Sequence, residues 1–288
     1  ITTSHGYSAV KNALARYVAR TGAVVVVAPL PFPFQDPQQV VDAVLGAITP
    51  RTRFAVLDHI TSPTALRFPV EALVPLLRER GIEALIDGAH GPGQVPLDVG
   101  AIGAAYYCGN GHKWLSGPKG VAFLAMRPEL ADGFLPLVPS HGATSPRTDR
   151  SRFHLEFDWQ GTDDPTAWLA LPAAIRFMGD LLPGGWPALF AANHALALEA
   201  QGILAVAFGI ERPAPASMIG AMAALPLPPE PGAPPTEPPF HSPTQEALYL
   251  EGFEVPVFPF PGWPQRLIRV TCGAYNERSQ YERLAAAL

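Results

Sequence analysis

The sequence predicts an α/β fold built on a mainly parallel sheet. Short apolar stretches of strand length alternate along the chain with longer stretches whose apolar residues recur at helical spacing. Polar side chains that could carry chemistry also follow two of the apolar stretches, at Asp87 and at Lys113. Because alternating strands and helices normally form a parallel sheet with crossover helices, we expect both residues to reach one edge of that sheet.

The individual elements are predicted from local pattern and turn residues. Residues 24–28 form a continuous apolar run, which is typical of a strand buried on both faces. Asp36 and Pro37 supply a cap and a first-turn proline for the helix that follows. The predicted strands are 24–28, 54–57, 83–86, 104–107, 121–126 and 267–271. The predicted helices are 8–20, 38–48, 70–80, 166–178, 187–207 and 279–288.

Two domains are predicted. The turn-forming sequence LLPGGW at 181–186 indicates the end of a large α/β domain, residues 1–186. Residues 187–288 are expected to form a small C-terminal α+β domain, because they combine a long helix with a final strand and helix. Proline occupies nine of the eighteen positions in 226–243, which excludes a helix interior or a central strand there. We expect an extended, partly mobile connection.

Composition narrows the functional class. The 20 basic and 25 acidic residues give a net charge of −5 with no basic run, so nucleic acid and anionic membranes are not expected partners. No apolar run reaches membrane-spanning length. Cys108 and Cys272 lie far apart without metal-ligand spacing, so no disulfide framework or metal site is expected, and a cytoplasmic location is predicted.

Asp87 and Lys113 are the candidates for catalysis. The chain has three lysines, of which Lys11 lies in a predicted helix and Lys119 in a turn, so Lys113 is selected by elimination. Pyridoxal 5′-phosphate (PLP) requires this pair, because a lysine amine holds its aldehyde as a Schiff base while a carboxylate keeps its pyridine nitrogen protonated. A helix cap or a solvated turn is the alternative for Asp87.

Five blocks of sequence resemble one enzyme family. They occur in order and span nearly the whole chain, which makes them more specific than a single Asp or Lys. The blocks are DHITSPTALRFPV, IDGAHGPGQVPLD, YYCGNGHKWLSGPKG, DWQGTDDPTAWLALPAAI and IRVTCGAYNERSQYERL. They resemble the class V aminotransferase-fold enzymes, particularly the isopenicillin N epimerase-like branch. The resemblance implies the type I fold of PLP-dependent transferases, with helices on both faces of the sheet.

The resemblance also implies roles for residues around the cofactor. Tyr7 is expected to stack on the pyridine ring, and His90 to face the phenolic oxygen. Asn110 and His112 are expected to hold the phosphate, since both side chains can donate hydrogen bonds to an anion. Thr162 resembles the residue that reaches the phosphate in the neighbouring subunit, which implies a homodimer with shared sites. Plain packing or turn roles are the alternatives.

Arg269 is predicted to bind the substrate. It lies within the apolar strand sequence LIRVT, where an unpaired charge would be costly to bury. It therefore needs an anionic partner, and its planar guanidinium suits the α-carboxylate of an amino acid. Ser62 could add a hydrogen bond to the same carboxylate. An internal salt bridge is the competing interpretation.

These residues predict a PLP-dependent enzyme that is epimerase-like or racemase-like and acts on an amino acid or aminoacyl compound. Lys113 would act as the base that removes the α-proton. A PLP-dependent C–S lyase is the main alternative, and a non-catalytic homologue that keeps the fold is the alternative from another class. Cysteine desulfurase chemistry is not expected, because 252–266 contain no cysteine ahead of Arg269.

The resemblance further implies a substantial region ahead of the first residue of this chain. In the resembled family that region supplies a Gly/Thr turn at a helix N-terminus for the phosphate. We therefore expect the 288-residue chain alone to bind PLP more weakly than full-length relatives.

Overall fold

The computed structural model describes residues 1–230, 232–234 and 242–288. Its main sheet has four strands in the order β3-β4-β5-β6. The strands are Phe54–Asp58 (β3), Glu83–Gly88 (β4), Tyr106–Asn110 (β5) and Ala122–Met126 (β6). β3, β4 and β5 are parallel, and β6 runs antiparallel to β5. The predicted α/β fold with a mainly parallel sheet is confirmed.

A short parallel pair, Thr2–Thr3 (β1) and Val27–Ala28 (β2), lies beside β3. The backbone N–H of Val56 donates to the carbonyl of Ile1 over 2.8 Å. The predicted strand 24–28 was too long, and its burial on both faces was wrong. Val24 is 72% exposed and Val27 48% exposed. Among the described residues β2 pairs with β1 alone, so it forms an open edge of the sheet.

Six helices precede the C-terminal unit in the described part of the chain. They are Ser8–Thr21 (α1), Gln38–Gly46 (α2), Val70–Arg78 (α3), Val99–Ile102 (α4), Arg152–Phe157 (α5) and Thr166–Gly179 (α6). The Asp36 carboxylate accepts the backbone N–H of Gln38 over 2.8 Å, but Asp36 lies one residue ahead of the capping position, so the predicted cap is shifted by one residue. Pro37 directly precedes the helix instead of occupying its first position.

The described residues of the C-terminal part form a three-stranded antiparallel sheet and three α-helices. The elements are Gly185–Phe208 (α7), Met222–Leu227 (β7), Pro243–Leu250 (α8), Val257–Pro259 (β8), Arg266–Thr271 (β9) and Arg278–Ala287 (α9). The strand order is β7-β9-β8. This is the α+β composition expected for 187–288. The boundary at residue 186 remains a prediction, because one hydrophobic cluster includes residues from both units.

The proline-rich stretch 226–243 is described only in part. Pro226 belongs to β7, which pairs with β9 alone in the described sheet and therefore tolerates a proline. Pro243 occupies the first turn of α8, where its missing N–H has no helical partner to lose. The predicted extended connection falls largely on residues 231 and 235–241, which lie outside the described residues.

α7 is the longest helix of the described chain, and with 24 residues it is long and apolar enough to cross a membrane on length and composition alone. Leu189, Ala197, Ala200 and Leu204 of this helix are fully buried. The helix packs against β7 and α9. The buried side of this apolar helix therefore belongs to the protein core.

Candidate active site

The candidate site lies at the carboxyl ends of β3, β4 and β5. Asp58 ends β3 and is the register partner of Asp87 in β4, and Asp87 is in turn the partner of Cys108 in β5. The strand predicted at 104–107 occupies Tyr106–Asn110 instead. Asn110 is thus the last residue of β5, where it pairs with Ala122 of β6.

These strand ends open into a cavity of about 490 Å³, a size within the usual range of ligand pockets. The beginning of α1 forms another wall. Seven of the predicted site residues line the cavity: Tyr7, Ser62, Asp87, His90, Asn110, His112 and Lys113. Residues from four separate stretches of the sequence are therefore brought to one site.

Lys113 and Asp87 contribute opposite charges to this cavity. Lys113 Nζ lies 3.3 Å from His90 Nε2. The Asp87 carboxylate accepts the backbone N–H of Ala89 over 3.0 Å, which holds it at the strand end. Burial lowers the pKa of Lys113 below its ordinary value, and Arg269 acts in the same direction while Asp87 opposes it. The amine of Lys113 is therefore more easily deprotonated than a surface lysine.

Asp58 is a cavity residue that the sequence analysis missed. It is 6% exposed. Burial and the neighbouring carboxyl of Asp87 raise the pKa of Asp58 to about 7. Its place at the end of the apolar strand FAVLD, like that of Asp87 after ALI, was the available signal.

Arg269 lies beside this cavity on β9. Its Nη1 donates to the backbone carbonyl of Ser62, and also to Ser62 Oγ over 3.1 Å. Its Nε is buried, and no atom of the described residues accepts a hydrogen bond from it. In the described part of the chain no carboxylate lies within ion-pair distance of Arg269, so the alternative of an internal salt bridge finds no partner there. Binding of a substrate carboxylate by Arg269 stays a prediction.

Thr162 is the predicted residue that the structure places elsewhere. It is exposed and lines a second cavity of about 810 Å³, formed by 157–165 together with Trp168. Thr162 is not among the residues that line the Lys113 cavity in this single chain. The role of Thr162 at the phosphate of a neighbouring subunit, which the resemblance implies, stays a prediction.

The two cysteines are poorly suited to nucleophilic chemistry. Burial raises the pKa of Cys108 to about 11 and that of Cys272 to about 12, so both thiols are protonated near neutrality. Cys108 Sγ lies 3.9 Å from the Asp87 carboxylate, which also disfavours a thiolate. The described residues contain no group of three or more side chains that could hold a metal ion.

The residues of the cavity fit PLP. A carboxylate at Asp87 and an amine at Lys113 share the site, and the ring of Tyr7 is 48% exposed at its entrance. Arg269, which contacts Ser62 in the cavity wall, carries a planar guanidinium suited to the carboxylate of an amino acid. The cavity therefore contains charged groups for a cofactor, and Arg269 lies next to its Ser62 wall.

Fold and cavity together define a type I α/β protein of the PLP-dependent class. The chain belongs to the aminotransferase class-V family, whose family model matches residues 1–211. The putative L-cysteine desulfhydrase 2 of Oryza sativa subsp. japonica is 36% identical over 234 residues, which cover 77% of this chain and 47% of that protein. The isopenicillin N epimerase of Amycolatopsis lactamdurans is 34% identical over 291 residues, which cover 95% of this chain and 69% of that protein.

Solved structures show the same fold. A variant of C-DES with glycine covalently linked to its PLP cofactor superimposes with a TM-score of 0.75 at 17% identity, covering 99% of this chain and 72% of that one. Membership of the family indicates PLP as the cofactor. The chain spans about half the length of the rice relative.

Proposed function

We propose that this chain is part of a PLP-dependent enzyme that removes the α-proton of an amino acid or aminoacyl substrate and epimerises it. The observation that carries the proposal is that Lys113 and Asp87 line one cavity, and that Arg269 contacts Ser62 in the wall of that cavity. An amine, a carboxylate and a guanidinium are the groups that such a reaction requires.

Each cavity residue has a distinct task in this proposal. When bound, PLP supplies an electron-accepting ring that spreads the negative charge left by the departing α-proton. Asp87 would hold the ring nitrogen, and Tyr7 would cover the ring face. Asn110 and His112 would hold the phosphate, with Thr162 of a second copy of the chain.

Lys113 is proposed as the base, because burial lowers the pKa of its amine and leaves it ready to accept a proton at Nζ. Arg269 would hold the substrate carboxylate through its planar guanidinium. Its existing contact with Ser62 fixes Nη1, so the guanidinium is oriented before the substrate arrives. Orientation of the carboxylate then determines which substituent faces Lys113.

C–S lyase chemistry is the second candidate. It uses the same removal of the α-proton and differs in requiring a leaving group on the β-carbon. The rice relative named as a desulfhydrase supports it, whereas the epimerase relative, which covers 95% of this chain, supports inversion. The raised pKa values of both thiols argue against persulfide chemistry.

One pair of assays separates these reactions. The PLP-loaded chain is incubated with L-cysteine, and sulfide and pyruvate are measured. It is also incubated in deuterated water with non-cysteine amino acids and aminoacyl peptides, and inversion at the α-carbon is followed by chiral chromatography. Inversion without sulfide supports the proposal, and sulfide release supports the lyase. Bound cofactor with neither reaction would favour the non-catalytic homologue.

We also propose a homodimer, supported by the exposed apolar side chains of α6 and the loop before it. α6 has no buried residue in the single chain. The exposed side chains are Trp159, Trp168, Leu169 and Phe177, at 51, 50, 74 and 66%. Apolar side chains exposed on a protein surface in this way are typical of an interface.

Light scattering should give a dimer mass. Trp168→Glu should lower this mass, whereas Tyr249→Glu, on α8, should not. A monomer mass for the unaltered chain would contradict the proposal.

A further inference from the structure

Lys113 and the residue after it contact opposite edges of the same imidazole ring. The indole N–H of Trp114 donates to His90 Nδ1 over 3.4 Å. On the other edge of the ring, His90 Nε2 lies 3.3 Å from Lys113 Nζ. Trp114, His90 and Lys113 thus form a row of three side chains that ends at the proposed catalytic amine.

Close backbone packing holds this row together. Gly93 has a φ of +80°, and a Cβ at that position would lie 2.6 Å from the carbonyl carbon and oxygen of Trp114. The loop after β4 therefore lies directly on the backbone that follows Lys113. Gln94 Nε2 also donates to the carbonyl of His90 over 3.0 Å. Contacts to the backbone of His90 and to both ring nitrogens therefore fix the position of its imidazole.

The hydrogen-bond donors and acceptors around His90 determine its tautomer. An indole N–H can only donate, so Nδ1 of His90 must accept. Burial, with the positive charges of Lys113 and Arg269, lowers the pKa of His90 to about 3, so the ring is neutral at physiological pH. A neutral imidazole that accepts at Nδ1 carries its proton on Nε2. That N–H is directed at Lys113.

The protonation state of Lys113 decides whether this last contact is favourable. An ammonium group has three donors and no acceptor, whereas a neutral amine has a lone pair that can accept the Nε2–H. The other titratable groups that face Lys113 are Asp87, Arg269, Asp58 and Cys108. The carboxylate of Asp87 stabilises the ammonium form of Lys113. The Nε2–H of His90 has the opposite effect, because it favours the neutral amine.

We propose that Trp114 is a positioning residue that acts through His90: by keeping the imidazole proton on Nε2, it favours the neutral form of the Lys113 amine. This deepens the proposed function, and it rests on Lys113 being the reacting amine. Without the indole N–H, the ring can exchange its tautomer, accept at Nε2 from the ammonium, and stabilise the charged form instead.

The test is the pKa of Lys113 measured directly in the cofactor-free chain. Reductive methylation with ¹³C-formaldehyde labels the three lysines, and the pH dependence of their methyl signals gives each pKa. Trp114→Phe keeps an aromatic ring and removes the donor, so the pKa of Lys113 should rise by about 0.5–1 unit. Trp263→Phe removes a donor to the Gly232 carbonyl instead and should leave Lys113 unchanged. An unchanged Lys113 pKa in Trp114→Phe would overturn the proposal.

A second measurement needs no variant and remains decisive if Trp114→Phe fails to fold. Two-bond ¹H–¹⁵N correlations distinguish the two neutral tautomers and the imidazolium of a histidine. The proposal requires His90 to be neutral with its proton on Nε2 at pH 7. A proton on Nδ1, or a charged ring, would refute it. Neither measurement requires PLP. Failure of Lys113 to form an adduct with PLP would therefore contradict the proposed function without bearing on the role of Trp114.

Discussion

Asp58 and Asp87 are register partners on neighbouring parallel strands, so two carboxyl groups enter one cavity side by side. The strands that carry them are paired about 4.8 Å apart, and the charge of the half-buried Asp87 disfavours a second carboxylate at Asp58. The more deeply buried Asp58 keeps its proton, with its pKa raised to about 7. Lys113, Cys108 and Lys11 are the other titratable groups that act with this pair.

This pair gives stability a specific dependence on pH. Between the ordinary pKa of 3.8 and about 7, native Asp58 holds a proton that the unfolded chain has released. Stability from Asp58 is therefore complete below the lower value and is lost as pH rises through the higher one. Relative to Asp58→Asn, the unaltered chain should lose up to about 4 kcal/mol of unfolding free energy between pH 4 and 7. Urea unfolding of both proteins across that range measures the difference, in which the contributions of other groups cancel. A pH-independent difference would contradict the raised pKa.

Removing the Arg269 guanidinium should affect the substrate and spare the cofactor. Arg269→Ala should weaken amino-acid binding by about 1.5–3 kcal/mol, the range for losing a charged hydrogen-bonded partner. Arg278→Ala, which removes a surface arginine paired with Glu282, is the matched control and should change neither. Both variants are titrated with amino acid while cofactor absorbance is monitored. If cofactor absorbance collapsed and amino-acid affinity persisted, Arg269 would be a structural residue.

Gly88 is required by the close approach of Tyr107 beneath the site. A Cβ at Gly88 would lie 2.1 Å from the Tyr107 ring, which is buried and hydrogen-bonded to His59 Nδ1 over 2.9 Å. Gly88→Ala should destabilise the fold by about 3 kcal/mol, the upper end of the range for an overpacked core. Gly46→Ala, at the end of α2 with open space around it, should be neutral or slightly stabilising. Equal unfolding midpoints for the two variants would show that the ring moves freely.

Much of the fold follows from local pattern. The apolar runs before Asp58 and Asp87, and the helical spacing in α1, α3 and α6, are properties of short stretches that sequence displays directly. The strand at 24–28 was overestimated because an apolar run does not reveal whether a second neighbouring strand exists. β7 was missed because its MAALPL sequence combines small residues with a proline, which local pattern does not favour for a strand.

The sequence predicted which kinds of residue form the site, but not the contacts between them. A carboxylate after one strand and a lysine after another could be placed on a common edge, since parallel strands share an end. The Ser62–Arg269 contact spans 207 residues of sequence, and the Trp114–His90 contact depends on a glycine that permits two loops to touch. Such long-range relationships leave no periodic signal.

Lys113 is the amine proposed to bind PLP. The most direct test is borohydride reduction of the PLP-loaded chain followed by peptide mapping, together with visible absorbance before reduction. A visible band and a reduced adduct on the Lys113 peptide are expected, unchanged in Lys119→Ala and absent in Lys113→Ala. An adduct on Lys11 or Lys119 in the unaltered chain, or a visible band that survives Lys113→Ala, would contradict the account.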